Sequence, residues 1–88
     1  MYKVIITPDA QDEMTRLNDS GEDSEIKRLK ELLLELSQHP ETGIGKPEEL
    51  GNGRWSRRVN EKNRLVYQID PELQVVTVTR VLGHYSDH

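Results

Sequence analysis

The stretch "RWSRRVNEKNRLVYQIDPELQVVTVTR", Arg54–Arg80, decides the fold. Side chains alternate along it with a period of two, and the pattern breaks at "EKN" and "DPE". Short polar connections between β-branched and aromatic segments suit an antiparallel meander of three strands, "GRWSRRVN", "RLVYQI" and "LQVVTVTR". The first eleven residues, Arg54–Arg64, hold five cations and one carboxylate around a single Trp and a single Val. The whole 88-residue chain nevertheless has a formal net charge of -4.

Alternation sorts these cations. Trp55, Arg57 and Val59 share one face, toward the core, while Ser56, Arg58 and Asn60 share the other. On the next strand Leu65, Tyr67 and Ile69 point inward and Arg64, Val66 and Gln68 outward. Arg58 and Arg64 then meet across a hairpin on the open face. Two adjacent guanidiniums repel unless an anion lies between them, and the planar guanidinium fork fits phosphate. Arg57 falls on the Trp55 side; it is expected at a sheet margin, bonded to a carboxylate from the first half of the chain.

Upstream, "YKVII" (Tyr2–Ile6) reads as a strand. Thr7 is an N-cap with Pro8 at the first helical position, and Ala10, Met14 and Leu17 follow at helical spacing until turn residues in "NDSGED". A second helix starts with Asp23 or Ser24 as cap and runs to about Gln38, ending before the Gly- and Pro-rich "HPETGIGKP". Its apolar residues, Ile26, Leu29, Leu32, Leu33, Leu34 and Leu36, cover an arc of about 200°, wider than one core contact requires. A second partner is implied: the first helix, another chain, or both. The order is β-α-α-β-β-β, an α+β fold with an antiparallel sheet and two helices on one face, and residues 1–88 read as one domain.

No apolar run approaches the roughly 20 residues that span a bilayer, so the chain reads as soluble and intracellular. There is no Cys, and His39, His84 and His88 are too scattered to suggest a metal site; no cofactor is expected. Residues 1–50 hold 6 Lys/Arg and 12 Asp/Glu, whereas residues 51–88 hold 6 and 4. That asymmetry suits a local site for a polyanion, because phosphate responds to the field at the contact. A solvated polar face is the plainer reading of the same pattern. "GKPEEL" before the sheet and "GHYSDH" after it are the segments that offer proton chemistry, although a Glu in a Pro-containing loop is most often only solvated.

Taken together, "GKPEELGNGRWSRRVNEKNRLVYQI" and the later "GHY" resemble the YoeB/Txe branch of the RelE/ParE toxin superfamily, whose members are toxins of bacterial toxin-antitoxin pairs. The resemblance implies a small microbial-ribonuclease type of fold. It also implies a ribosome-dependent endoribonuclease that cleaves mRNA in the ribosomal A site, acts in the cytoplasm and is silenced by a partly disordered, acidic antitoxin. Homodimers and toxin-antitoxin hetero-oligomers are both compatible with it. By the same resemblance the catalytic set is Glu48, Arg64, His84 and Tyr85, with Lys46, Arg54, Arg57, Arg58 and Lys62 as RNA contacts. Cleavage through the RNA's own 2′-hydroxyl needs a base, cations for the charge growing on phosphorus, and an acid for the departing 5′-oxygen. Glu48 suits the base, Arg58 and Arg64 the charge, His84 the acid, and Tyr85 stacking or orientation of the phosphate.

Two departures stand out. "ELGNGRW" is shorter than the usual connection and has Gly51 and Asn52 where a Lys is common, with Arg54 as the nearest substitute. Ser86, Asp87 and His88 follow the "HY" pair. The alternative reading is a non-catalytic or attenuated superfamily member that works by binding, whether directed at gyrase or engaging only an antitoxin.

Overall fold

A computed structural model describes residues 1–81. The chain runs β1 (Lys3–Ile6), α1 (Pro8–Ser20), α2 (Asp23–Leu36), β2 (Glu48–Gly51), β3 (Arg54–Arg58), β4 (Arg64–Asp70) and β5 (Val75–Arg80). The α+β architecture expected from the sequence is present. Thr7 caps α1 by accepting from the Ala10 N–H at 3.2 Å, and Pro8 occupies the position where a missing N–H costs nothing. Gly21 ends that helix. The cap of α2 is Glu22, one residue earlier than expected, because Glu25 reaches back to accept from the Glu22 N–H at 3.1 Å.

The sheet order is β1-β5-β4-β3-β2. Two features correct the sequence reading of an antiparallel sheet. First, β1 pairs in parallel with β5, so the sheet is mixed. Second, "EELG" (Glu48–Gly51) is not loop but an edge strand, antiparallel to β3 and bulged between Glu49 and Gly51. Neither feature has a local signature: the parallel pair joins the two ends of the described chain, and β2 contains a single apolar residue, Leu50.

The inner face packs Leu65, Tyr67, Ile69, Val76 and Val78 of the sheet against Ala10 and Leu17 of α1 and Leu29, Leu32 and Leu36 of α2. These side chains alternate along the strands and recur at i, i+3 and i+7 on α2, so one core satisfies both periods. Trp55 is half-buried against it. The first helix covers only part of the wide apolar arc on α2: Ile26 and Leu33 remain partly exposed, and Leu34 points to solvent.

Two Asx turns set the hairpins. Asn60 Oδ1 accepts from the Lys62 and Asn63 N–H groups at 2.9 and 2.7 Å, and Asp70 Oδ1 accepts from Glu72 and Leu73, both at 3.1 Å. The first turn fixes the register that puts Arg58 directly opposite Arg64.

Candidate active site

The site begins with the loop between α2 and β2, which has to deliver Glu48 to the sheet edge. Arg57 holds that loop. Its Nε donates to the Tyr67 hydroxyl at 3.0 Å, Nη1 to Glu35 Oε1 and the Ile44 carbonyl, and Nη2 to the carbonyls of His39 and Thr42. The Tyr67 hydroxyl in turn donates to the Pro40 carbonyl at 2.7 Å. A guanidinium has five N–H donors, and here every one has an acceptor. Burial pushes the Tyr67 hydroxyl above its ordinary value of 10.0, although Arg57's hydrogen bond and charge pull the other way.

Arg57 is therefore removed from the RNA-binding set that the sequence suggested. It is fully buried, and it lies not at a sheet margin but on the second strand in from the edge. The expected carboxylate partner from the first half of the chain is Glu35. Its carbonyl partners are not legible in the sequence, since backbone acceptors carry no residue signature.

Gly45 closes the loop onto β3. Its carbonyl accepts from the Arg58 N–H at 2.6 Å, its φ is +82°, and an added Cβ would lie 2.9 Å from Leu32 and 3.0 Å from the Arg58 carbonyl oxygen. Glycine meets both the positive φ and the close approach. Lys46 follows with φ 52°, a left-handed conformation that is uncommon for a side-chain-bearing residue. Pro47 then leads into β2.

On the outer face Glu48 stands opposite Ser56, and Ser56 opposite Val66. The next row is the Arg58–Arg64 pair. Arg64 reaches back across the strand: Nη1 lies 3.5 Å from Glu48 Oε1 and 3.5 Å from Ser56 Oγ. The Glu48 side chain is 63% exposed and that of Arg64 25%, so the carboxylate is accessible while the guanidinium is half-sheltered. Ser56 and Val66 are buried, which means the outer face is not uniformly open; its exposed cations lie at either end of β3. Arg58 is exposed and has no carboxylate partner among the described residues. Two facing guanidiniums with one carboxylate make a place for an anion that can displace Glu48 from Arg64.

Arg54 shares the face of Ser56 and Arg58, at the far end of β3. Lys62 is exposed on the hairpin turn, and Lys46 is exposed on the loop. Arg54 and Lys62 thus lie toward opposite ends of β3. His84 and Tyr85 lie outside the described residues. Reading the sequence missed Ser56, whose place between Glu48 and Arg64 depends on the pairing of β2 that the sequence does not announce.

Comparison with known proteins identifies the family. A model of the "YoeB-like toxin of bacterial type II toxin-antitoxin system" family matches residues 7–85. The chain belongs to this family. Among YoeB relatives, the toxin YoeB of Synechocystis sp. is 43% identical over 56 residues, an alignment covering 59% of this chain and 65% of that protein. A YoeB/ParE toxin from Agrobacterium tumefaciens superposes with a TM-score of 0.84 at 27% identity, covering 94% of this chain and 99% of that one. The YoeB toxin in a heterotetrameric YoeB-YefM toxin-antitoxin complex from Staphylococcus aureus gives a TM-score of 0.77 at 28% identity, covering 97% and 99%. The β-α-α order and the mixed sheet described above are therefore the YoeB architecture, and the segment carrying Glu48, Arg58 and Arg64 lies inside the matched region.

Proposed function

We propose that this chain is a ribosome-dependent endoribonuclease of the YoeB type, cutting mRNA presented in the ribosomal A site. The single observation that carries the reading is the outer-face cluster in which an accessible Glu48 stands 3.5 Å from Arg64, itself directly opposite Arg58. Glu48 takes the proton from a ribose 2′-hydroxyl, and the 2′-oxygen attacks the adjoining phosphorus. Arg58 and Arg64 hold the charge that accumulates on the equatorial oxygens, where fixed donors act most strongly. His84 gives a proton to the departing 5′-oxygen, and Tyr85 orients the phosphate. The products are a 2′,3′-cyclic phosphate and a 5′-hydroxyl end. Lys46, Arg54 and Lys62 contact neighbouring phosphates, whereas Arg57 shapes the loop that carries Glu48.

The cognate partner in this reading is an antitoxin with an acidic segment, as YefM is the partner named for the Staphylococcus aureus toxin. Its acidic residues neutralise the Arg58–Arg64 pair, and the toxin works in the cytoplasm once that segment is removed. An apolar segment of the same partner has a groove of about 250 Å³ between α1 and α2, lined by Met14, Ile26 and Leu33 among others.

Induced expression with primer extension on cellular mRNA tests the reading. The wild-type chain is expected to arrest growth and create new mRNA ends within translated codons, while Glu48→Ala, Arg64→Ala and His84→Ala abolish those ends. Folded wild-type protein that makes no new ends in a translating extract would overturn catalysis and leave the binding-only alternative.

A further inference from the structure

A groove of about 470 Å³ opens between the start of α2 and the turn joining β3 to β4. Three cations line it, one from each neighbouring segment: Arg28 on α2, Lys46 on the loop before β2, and Arg58 on β3. All three are exposed, and none has an ion-pair partner among the described residues. Arg58 also belongs to the Arg58–Arg64 pair, so the groove is continuous with the candidate active site.

Carboxylates line the groove as well, and one of them is engaged. Glu25 Oε1 accepts from the Glu22 N–H, while Oε2 accepts from the side-chain amides of Asn60 and Asn63, at 3.3 Å for Asn63. Those bonds tie the hairpin turn to α2 and give the groove a fixed wall. Glu61, on the turn itself, is exposed to solvent. Gly45 and the buried Val59 also line the groove, and neither brings a charge.

We propose that this groove is a phosphate track: it receives the backbone of the single-stranded RNA next to the scissile phosphate, with Arg28 as the outermost contact. The track rests on the reading of Glu48, Arg58 and Arg64 as a nuclease site, and it adds a residue from α2 that the motif-bearing half of the chain does not contain. Guanidinium and ammonium groups lining one groove suit a flexible polyanion, whose binding is driven by counterion release and tolerates any base sequence. The mixed charge of the walls limits how tightly the free protein holds RNA, which accords with a substrate presented by the ribosome.

The test uses full-length protein and two uncleavable probes followed by fluorescence anisotropy. One is a labelled oligodeoxynucleotide of about eight residues, which lacks the 2′-hydroxyl and is long enough to fill both ends. The other is a labelled dinucleoside monophosphate, which fills only the Arg58–Arg64 end. Arg28→Glu is expected to weaken the longer probe about tenfold at low salt and to flatten its log-log salt slope by about 0.7, the value for one lost phosphate contact on a single strand. Arg28→Gln gives a smaller loss, and the short probe is unaffected by either change. Lys27→Glu, of equal charge on the same helix but off the groove, leaves both probes unaffected. The track is overturned if Arg28→Glu binds the longer probe as wild type does, if Lys27→Glu weakens it equally, or if wild type shows no salt-dependent binding. Mutant binding is separable from cleavage: Arg28-dependent binding without new mRNA ends sinks only the nuclease reading, whereas cleavage with Arg28-independent binding sinks only the track.

Discussion

Arg57 and Arg58 are consecutive residues of one strand, yet the first directs all five N–H donors into protein acceptors and the second faces solvent with no carboxylate partner among the described residues. The pleat alone separates them. On the inner face a guanidinium is a fastener, because burial makes every unfilled donor costly. On the outer face the same group is available to an anion. Residue type does not distinguish the buried arginine from the exposed one; strand parity does.

The sharpest way to break that contrast is to remove each arginine in turn. Arg57→Ala takes the donor from three loop carbonyls and leaves Glu35 Oε1 with only the Ile44 N–H, at 2.9 Å, and stability should fall by about 3 kcal/mol. That is the low end for a broken buried pair, since water can reach Glu35, whose side chain is 26% exposed. Urea unfolding measures the loss, and a midpoint near wild type would show that the loop holds without its fastener. Any fall in cleavage should track the lost fold, so that lower temperature restores part of it.

Arg58→Ala should behave in the opposite way. The urea midpoint stays at the wild-type value, while mRNA cleavage in a translating extract drops by about 100-fold, the low end for losing one charge-stabilising donor, since Arg64 remains. Equal losses of stability for Arg57→Ala and Arg58→Ala would end the distinction drawn from the pleat.

The smallest effect refines the inner face. Tyr67→Phe removes the bond to the Pro40 carbonyl and the acceptor for Arg57 Nε, which should cost about 1 to 2 kcal/mol at neutral pH. Because burial raises the Tyr67 hydroxyl above 10.0, the folded state holds that proton more tightly than the unfolded chain. Its contribution is thus complete below about pH 10 and is lost as pH rises through the folded value. The stability gap between wild type and Tyr67→Phe should therefore narrow above pH 10. A gap constant from about pH 8 to about pH 11, either side of the ordinary tyrosine value near 10, would mean that the hydroxyl is not held neutral by its surroundings.

Much of this was legible in the sequence because it follows from short periods. The inward set Leu65, Tyr67 and Ile69, the Thr7-Pro8 helix start, and the separation of Arg57 from Arg58 all depend on neighbours two to four residues apart. What was not legible depends on distant pairing. Glu48 reads as a loop carboxylate because "EELG" has too few apolar residues to announce a strand; only Trp55 and Ser56 across the ladder make it one. Arg57 fell into the RNA-binding set because a motif names a residue type and not the partners waiting for it. Arg28 carries no signal at all, since the turn that it faces is more than thirty residues away in the chain, about the span of one βαβ-sized unit.

The parallel pairing of β1 with β5 has a consequence for the order in which the molecule comes into being. The backbone of β1 finds its ladder partners in residues 75–78, and β5 lies between β1 and β4. During synthesis the first strand must wait, unpaired, for nearly the last described one. The meander of β2, β3 and β4 can pair before β5 has been made, but β1 cannot join the sheet until β5 is in place, and that closure spans the longest separation along the chain of any strand pair described.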